Sequence, residues 1–257
     1  MNRLRARLRT VFAFLAATTL CFLSVANAQD AVPVDILQRT LLIKGPSEQG
    51  SAFSIDYKGK LYLVTARHVV VGVPDTNAVI QIRQAGQWKL YQTVRTLYPP
   101  SNDVDIAVFE TNETVSQPFL VQMAGGTEGG TMGQLVWFLE YPFIEGIGSQ
   151  FGNGQEAPFI KRGTMSAIVG TNPDAVVLYI DGFNNEGFSG GPIVFWDFTT
   201  HKYGILGVVQ GYRNDTAKVI VNGQAVNTQL LVNSGILRGY SIRHVIQAIE
   251  RSEQSKP

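Results

Sequence analysis

Gly187-Phe188-Ser189-Gly190-Gly191-Pro192 is the stretch on which the reading of this chain turns. It sets a hydroxyl among glycines, which adopt backbone angles closed to other residues and so permit a tight, exposed turn. Serine alone is a weak nucleophile. It needs a base to take its proton, a carboxylate to hold that base in one tautomer, and N–H groups aimed at a developing oxyanion. The chain has three histidines. His201 falls in a polar loop and His244 in a terminal helical pattern, whereas His68 stands in Thr65-Ala66-Arg67-His68-Val69-Val70. Carboxylates follow in Asn102-Asp103-Val104-Asp105-Ile106-Ala107-Val108, where Asp103 and Asp105 lie on one side of an extended segment.

Outward from these motifs, short β-branched and aromatic runs recur between Gly, Pro, Asn and Asp, the pattern of an all-β protein. Strands are predicted over residues 40–44, 51–57, 60–65, 78–83, 89–98 and 105–110. A second set is predicted over 134–140, 163–169, 175–180, 192–196, 203–210 and 219–221. Lys58-Gly59 closes the second hairpin, and the glycine-rich segment 124–130 reads as a linker between the sets. Ile242, Val245, Ile246 and Ile249 repeat at helical spacing behind Ser241, a candidate N-cap, so the chain is expected to close on an amphipathic helix.

The 257 residues suffice for one large domain or two small barrels. Four of the 21 Lys and Arg lie in the first ten residues (Arg3, Arg5, Arg7, Arg9), ahead of an apolar run over 11–25 and the small-x-small tripeptide Ala26-Asn27-Ala28. This is the pattern of a secretory leader cleaved after Ala28, leaving no stable membrane anchor. Without the leader, 17 basic side chains face 20 acidic ones, a net charge near −3 with no basic face for nucleic acid. Cys21, the single cysteine, leaves with the leader. Three histidines without clustered acids give no metal-ligand spacing, so neither metal nor cofactor is expected.

The order His, Asp, Ser, carried by T-A-x-H, D-I-A-V and G-x-S-G-G-P, resembles the trypsin-like serine proteases of chymotrypsin fold. The resemblance runs from about residue 41 to 249. It implies two six-stranded antiparallel β-barrels with the active site between them: residues 29–123 carrying His68 and Asp105, and 124–257 carrying Ser189 and the terminal helix, after a leader over 1–28. Ser189 is then the nucleophile, His68 the base and Asp105 the residue that orients it, Asp105 being preferred to Asp103 by the D-I-A-V match. The N–H groups of Gly187 and Ser189 form the expected oxyanion hole. Gly50-Ser51-Ala52-Phe53, Tyr141-Pro142-Phe143 and Gly163-Thr164-Met165-Ser166-Ala167-Ile168 are similar to the bacterial, HtrA-like branch, with no PDZ module expected after the terminal helix. A mature chain without cysteine fits an exported bacterial protein, periplasmic or secreted, that holds together by its cores.

Where digestive relatives carry an aspartate that receives a new N-terminus, this chain has Phe188, so the oxyanion loop is expected to need no activating cleavage. Phe183, six residues before the nucleophile, stands where relatives that cut after Arg or Lys place an aspartate. Together with Gln210, Gly211 and Tyr212 as the opposite wall, it leads to an expected preference for uncharged, small or medium apolar side chains of a protein or peptide substrate. Arg67 would lower the His68 pKa if it pointed inward, and residues 143–161 read as a loop able to cover the site. Two further classes stay open: a catalytically silent, peptide-binding module on the same scaffold, and an acyl-transfer hydrolase such as an esterase. The α/β-hydrolase elbow is excluded by chain order if His68 and Asp105 are the partners.

Overall fold

The computed structural model describes residues 31–254 except 47, 122–129, 143–148, 153, 171 and 173. The expected leader and all but the last residue of the expected linker lie outside the described residues, as does the first part of the expected covering loop.

After a short helix, α1 (Val34–Leu37), the first sheet is built from β1 (Thr40–Lys44), β2 (Gln49–Tyr57), β3 (Lys60–Thr65), β4 (Val79–Gln84), β5 (Gln87–Gln92), β6 (Arg95–Leu97), β7 (Ala107–Thr111) and β8 (Phe119–Leu120). Its order is β5-β4-β1-β2-β3-β7-β6, with β8 running parallel to β2. The run expected as one strand over 89–98 is two strands at opposite ends of this order. Between them the N–H of Thr93 donates to the Ala78 carbonyl and that of Val94 to Glu110, both at 2.9 Å. Two residues therefore bridge the ends of the sheet and curl it on itself. The sheet has eight strands instead of the expected six, because the break at Thr93 splits one and β8 adds another.

Hairpin β2–β3 turns at Lys58 and Gly59, both with positive φ (53° and 75°), the turn that matches the twist of its strands. Leu41, Ile43, Leu63, Ile80, Ile82 and Phe109 fill the interior, all essentially inaccessible. Burying each such side chain stabilises by about 1.5–3 kcal/mol.

The second half holds β9 (Leu135–Glu140), a small hairpin of β10 (Ser149–Gln150) and β11 (Glu156–Ala157), then β12 (Phe159–Val169), β13 (Val177–Asp181), β14 (Pro192–Asp197), β15 (Lys202–Val221) and β16 (Gln224–Ser241). Six of these close a barrel in the order β12-β13-β16-β15-β14-β9 around Phe138, Leu178, Ile180, Phe188, Ile193 and Leu237. Residues expected as a covering loop beyond 148 are thus hairpin and strand where described. Beyond the barrel, β15 and β16 continue as a two-stranded arm from the pair Asn214 and Asn233 out to Val221 and Gln224. Asn222 and Gly223 turn it with φ of 52° and 78°.

The chain ends in α2 (Arg243–Gln254), one turn of which opens with the Arg243 N–H donating to Ser241 Oγ at 3.2 Å. Val245, Ile246, Ala248 and Ile249 are buried, and the helix packs on β6 and β7 of the first sheet as well as on β16. Tyr57 Oη donates to Glu250 Oε1 (2.8 Å) and Lys60 Nζ to Glu253 Oε1 (2.9 Å), so a helix that follows the second barrel is fastened to the first sheet. Both sheets lie within one compact unit, Val34–Pro257.

Candidate active site

His68 sits on a 3₁₀ turn, Arg67–Val70, immediately after β3 and behind the extended residue Ala66. Asp105 lies in the loop before β7. The backbone joins the two loops first, with Arg67 N–H donating to the Asp105 carbonyl at 3.3 Å. The Asp105 carboxylate then clasps His68 twice, accepting from its backbone N–H (2.9 Å, Oδ1) and lying 2.5 Å from its ring Nδ1 (Oδ2). A carboxylate only accepts, so it fixes the proton on Nδ1 and leaves Nε2 as the ring's acceptor. The hydrogen bond that the ring donates to Asp105 holds the His68 pKa above its usual 6.5, against the opposing pull of burial. Arg67 points away: its guanidinium stacks 4.6 Å from the centre of the Tyr98 ring and donates to Asn102 Oδ1 at 3.4 Å. Asp103 is exposed and turns only its carbonyl inward, accepting from Tyr240 Oη at 2.6 Å.

Ser189 arrives from the other half on the turn before β14. Its carbonyl accepts from Ser51 N–H at 2.8 Å, and Ser51 Oγ in turn accepts from Tyr141 N–H at 2.9 Å. Glycine is required here by space. A Cβ on Gly190 (φ 88°) would stand 2.2 Å from the Ser51 carbonyl and 2.3 Å from Thr65 Oγ1, and one on Gly191 would stand 2.3 Å from Glu140 Cγ. The turn that carries Ser189 is therefore seated directly on the residues that lead into His68. Gly187 also has positive φ (91°). Among the described residues nothing accepts from the N–H groups of Gly187 and Ser189, whereas Gly190 N–H is taken by Val209 and Gly191 N–H by Phe188. Ser189 Oγ donates to the Gln210 carbonyl at 3.0 Å.

Of the expected pocket residues, Gln210, Gly211 and Tyr212 line a cavity of about 300 Å³ together with Tyr179, Arg213 and Arg238. Phe183 is not among them. It is 55 % exposed and covers Lys161, whose Nζ lies 5.4 Å from its ring centre and donates to its carbonyl at 2.9 Å. Arg238 had no local sequence signal, since it reaches the cavity only through its place on β16, opposite Tyr179 on β13 and Gly211 on β15. Glu140 was equally hidden. Its fully buried carboxylate lies under Gly191 with both oxygens unpartnered, and burial drives its pKa well above the usual range despite the nearby Lys161. Phe188 is fully buried in the barrel with Lys161 Nζ 4.8 Å from its ring centre. The other histidines are structural or exposed: His201 is exposed, and His244 accepts from Val176 N–H at 2.8 Å. Among the described residues no His, Cys, Asp or Glu cluster could hold a metal, and no helix is long and apolar enough to cross a membrane.

Residues 50–198 match the family model described as the trypsin-like peptidase domain. Among solved structures, the serine endoprotease from Yersinia pestis aligns with a TM-score of 0.54 and 17% identity over 88% of this chain and 69% of that one. The Rv3671c protease in its inactive form aligns with a TM-score of 0.50 and 18% identity over 84% of this chain and 89% of that one. Its active form, from M. tuberculosis, gives 0.50 and 18% over 86% and 83%. At these identities the likeness is one of fold. No curated protein matches the chain.

Proposed function

Because this chain belongs to the trypsin-like peptidase family, we propose that it is a serine endopeptidase of the bacterial, HtrA-like kind acting through Ser189, His68 and Asp105. The observation that carries the reading is the double clasp of His68 by Asp105, which leaves Nε2 as the ring's acceptor; it is supported by the bond from Ser51 N–H to the Ser189 carbonyl, which seats the Ser189 turn on the first sheet. In this mechanism Ser189 Oγ rotates from the Gln210 carbonyl, gives its proton to His68 Nε2 and attacks the scissile carbonyl. The oxyanion takes the N–H groups of Gly187 and Ser189. His68 returns the proton to the leaving amine, and a water molecule, deprotonated by the same imidazole, then releases the acyl group from Ser189. Each oxyanion donor contributes about 3–4 kcal/mol to the transition state.

The expected apolar pocket depended on Phe183, which lies outside the cavity. What remains of that argument is the missing acid, which disfavours cleavage after Arg or Lys. The alternative of a silent peptide-binding module draws on the Ser189 hydroxyl resting on Gln210. A casein digest with wild type and Ser189→Ala separates the two: turnover is expected to fall on the order of 10⁶-fold with the fold unchanged. Equal digestion by both proteins overturns the nucleophile, and no digestion by either favours the binding module. The leader pattern further supports export to the periplasm or beyond, for which N-terminal sequencing of secreted protein is expected to begin at Gln29.

A further inference from the structure

We propose that the cavity formed by Tyr179, Gln210, Gly211, Tyr212, Arg213 and Arg238 selects an acidic side chain on the residue preceding the scissile bond, with Arg238 as the principal recognition group. This specificity rests on the protease reading of the same site and names its substrate class.

Position comes first. The cavity wall includes Gln210, whose carbonyl holds Ser189 Oγ at 3.0 Å. Its opposite side is tied to the other half of the site, because Arg238 Nη2 donates to Tyr240 Oη (3.0 Å), which donates to the carbonyl of Asp103, two residues from Asp105. In the register, Arg238 faces Tyr179 across one strand boundary and Gly211 across the other. Its neighbours Leu237 and Ile180 point into the barrel core, so Arg238 and Tyr179 face out toward the cavity.

Chemistry comes second. The lining has two guanidinium groups, two phenols and no carboxylate. Neither arginine forms an ion pair among the described residues, and Arg238 Nε is buried without an acceptor. A cation without a counter-charge in a half-buried site is costly, and an incoming carboxylate supplies the charge that the lining lacks. The Tyr240 ring, 5.3 Å from the guanidinium carbon, together with its hydroxyl holds the fork in one plane. A fixed planar fork suits carboxylate recognition, whereas a lysine or arginine side chain meets like charge and an apolar one leaves the cations without a counter-charge. At about 300 Å³ the cavity is at the small end for ligands and takes one side chain.

The test uses acetylated tetrapeptide para-nitroanilides that differ only in Glu, Gln, Leu or Arg before the scissile bond, so that the side chain is the substrate's sole carboxylate. For wild type, kcat/KM for Glu is expected to exceed that for Gln by roughly tenfold or more, with Arg slowest. The Glu to Gln ratio is expected to fall toward one in Arg238→Gln, to be partly kept in Arg238→Lys, and to fall modestly in Arg213→Gln. A wild-type preference for Leu or Arg, or a ratio unchanged in Arg238→Gln, overturns the proposal. Should Arg238→Gln fail to fold, the wild-type series with Arg238→Lys and Arg213→Gln decides in its place. Labelling of Ser189 by a fluorophosphonate without any preference for Glu overturns the specificity alone. Absence of both labelling and cleavage overturns the protease reading and this inference with it.

Discussion

The Asp105 carboxylate is anchored by the His68 backbone N–H through one oxygen and meets the ring with the other, so the imidazole cannot turn without losing its hydrogen bond to a fixed partner. In the proposed reaction the raised pKa of His68 sets the pH dependence. Only the neutral ring accepts a proton, so the ascending limb of kcat/KM against pH is expected to lie above 6.5. Asp105→Asn removes the largest cause of that elevation and leaves burial, which acts the other way. The limb is expected to move down while turnover falls about 10⁴-fold, measured on one chromogenic peptide across pH. Glu140 gives a second residue-level test. Its native carboxyl holds a proton that the unfolded chain loses near pH 4.5, so its contribution to stability shrinks as pH rises from there toward the raised native value. In Glu140→Gln that slope is expected to vanish: the variant gains on wild type in denaturant midpoint at pH 8 and differs little at pH 4. Equal slopes in both proteins would show that Glu140 is ionised throughout.

The strands that were easiest to read are those in which burial and punctuation agree. Thr40–Lys44 and Lys60–Thr65 were legible to the residue because β-branched runs end at turn residues, and Lys58-Gly59 names its own hairpin. The outer parts of β15 and β16 were not legible. Asn214-Asp215-Thr216 reads as a loop, yet on the arm these residues are held by cross-strand pairing with no core behind them, and burial is what the periodicity argument detects. Asn222-Gly223 was the available signal, an Asn-Gly pair between β-branched runs. Arg238 was invisible for the same reason, since its meaning comes from register with Tyr179 and Gly211. The family, in contrast, was legible because each of its motifs is contiguous in sequence, and so was the meeting of His68 with Asp105. A two-stranded ribbon outside a barrel is marginal in water, and here Leu230, Leu231 and Ile220 stand exposed on it. Limited proteolysis is therefore expected to nick the arm around 214–232 first, with the barrel fragments staying associated, as read by mass spectrometry. At the nucleophile turn, Gly190→Ala is expected to cost several kcal/mol or to displace Ser189, because its Cβ has no space at Ser51 and Thr65.

Two β halves make one site only if the seam between them is firm. Ser51 bonds to Ser189 across it, Tyr141 Oη lies 3.1 Å from the Thr40 carbonyl, and α2 reaches back from the second barrel to β6 and β7. Calorimetry is expected to give one cooperative transition, and two well-separated transitions would contradict a coupled seam. The first sheet's departure from six strands leaves this arrangement intact, because the changes lie at β5, β6 and β8, away from the ends of β2 and β3 that receive the nucleophile turn. In the proposed mechanism, side chains distant in sequence meet at this seam as one catalytic unit. The most direct measurement is peptide mapping of the fluorophosphonate adduct in wild type and in His68→Ala. A single adduct on Ser189 that is lost without the imidazole is the expected result; no adduct, an adduct on another serine, or undiminished labelling without His68 would contradict it.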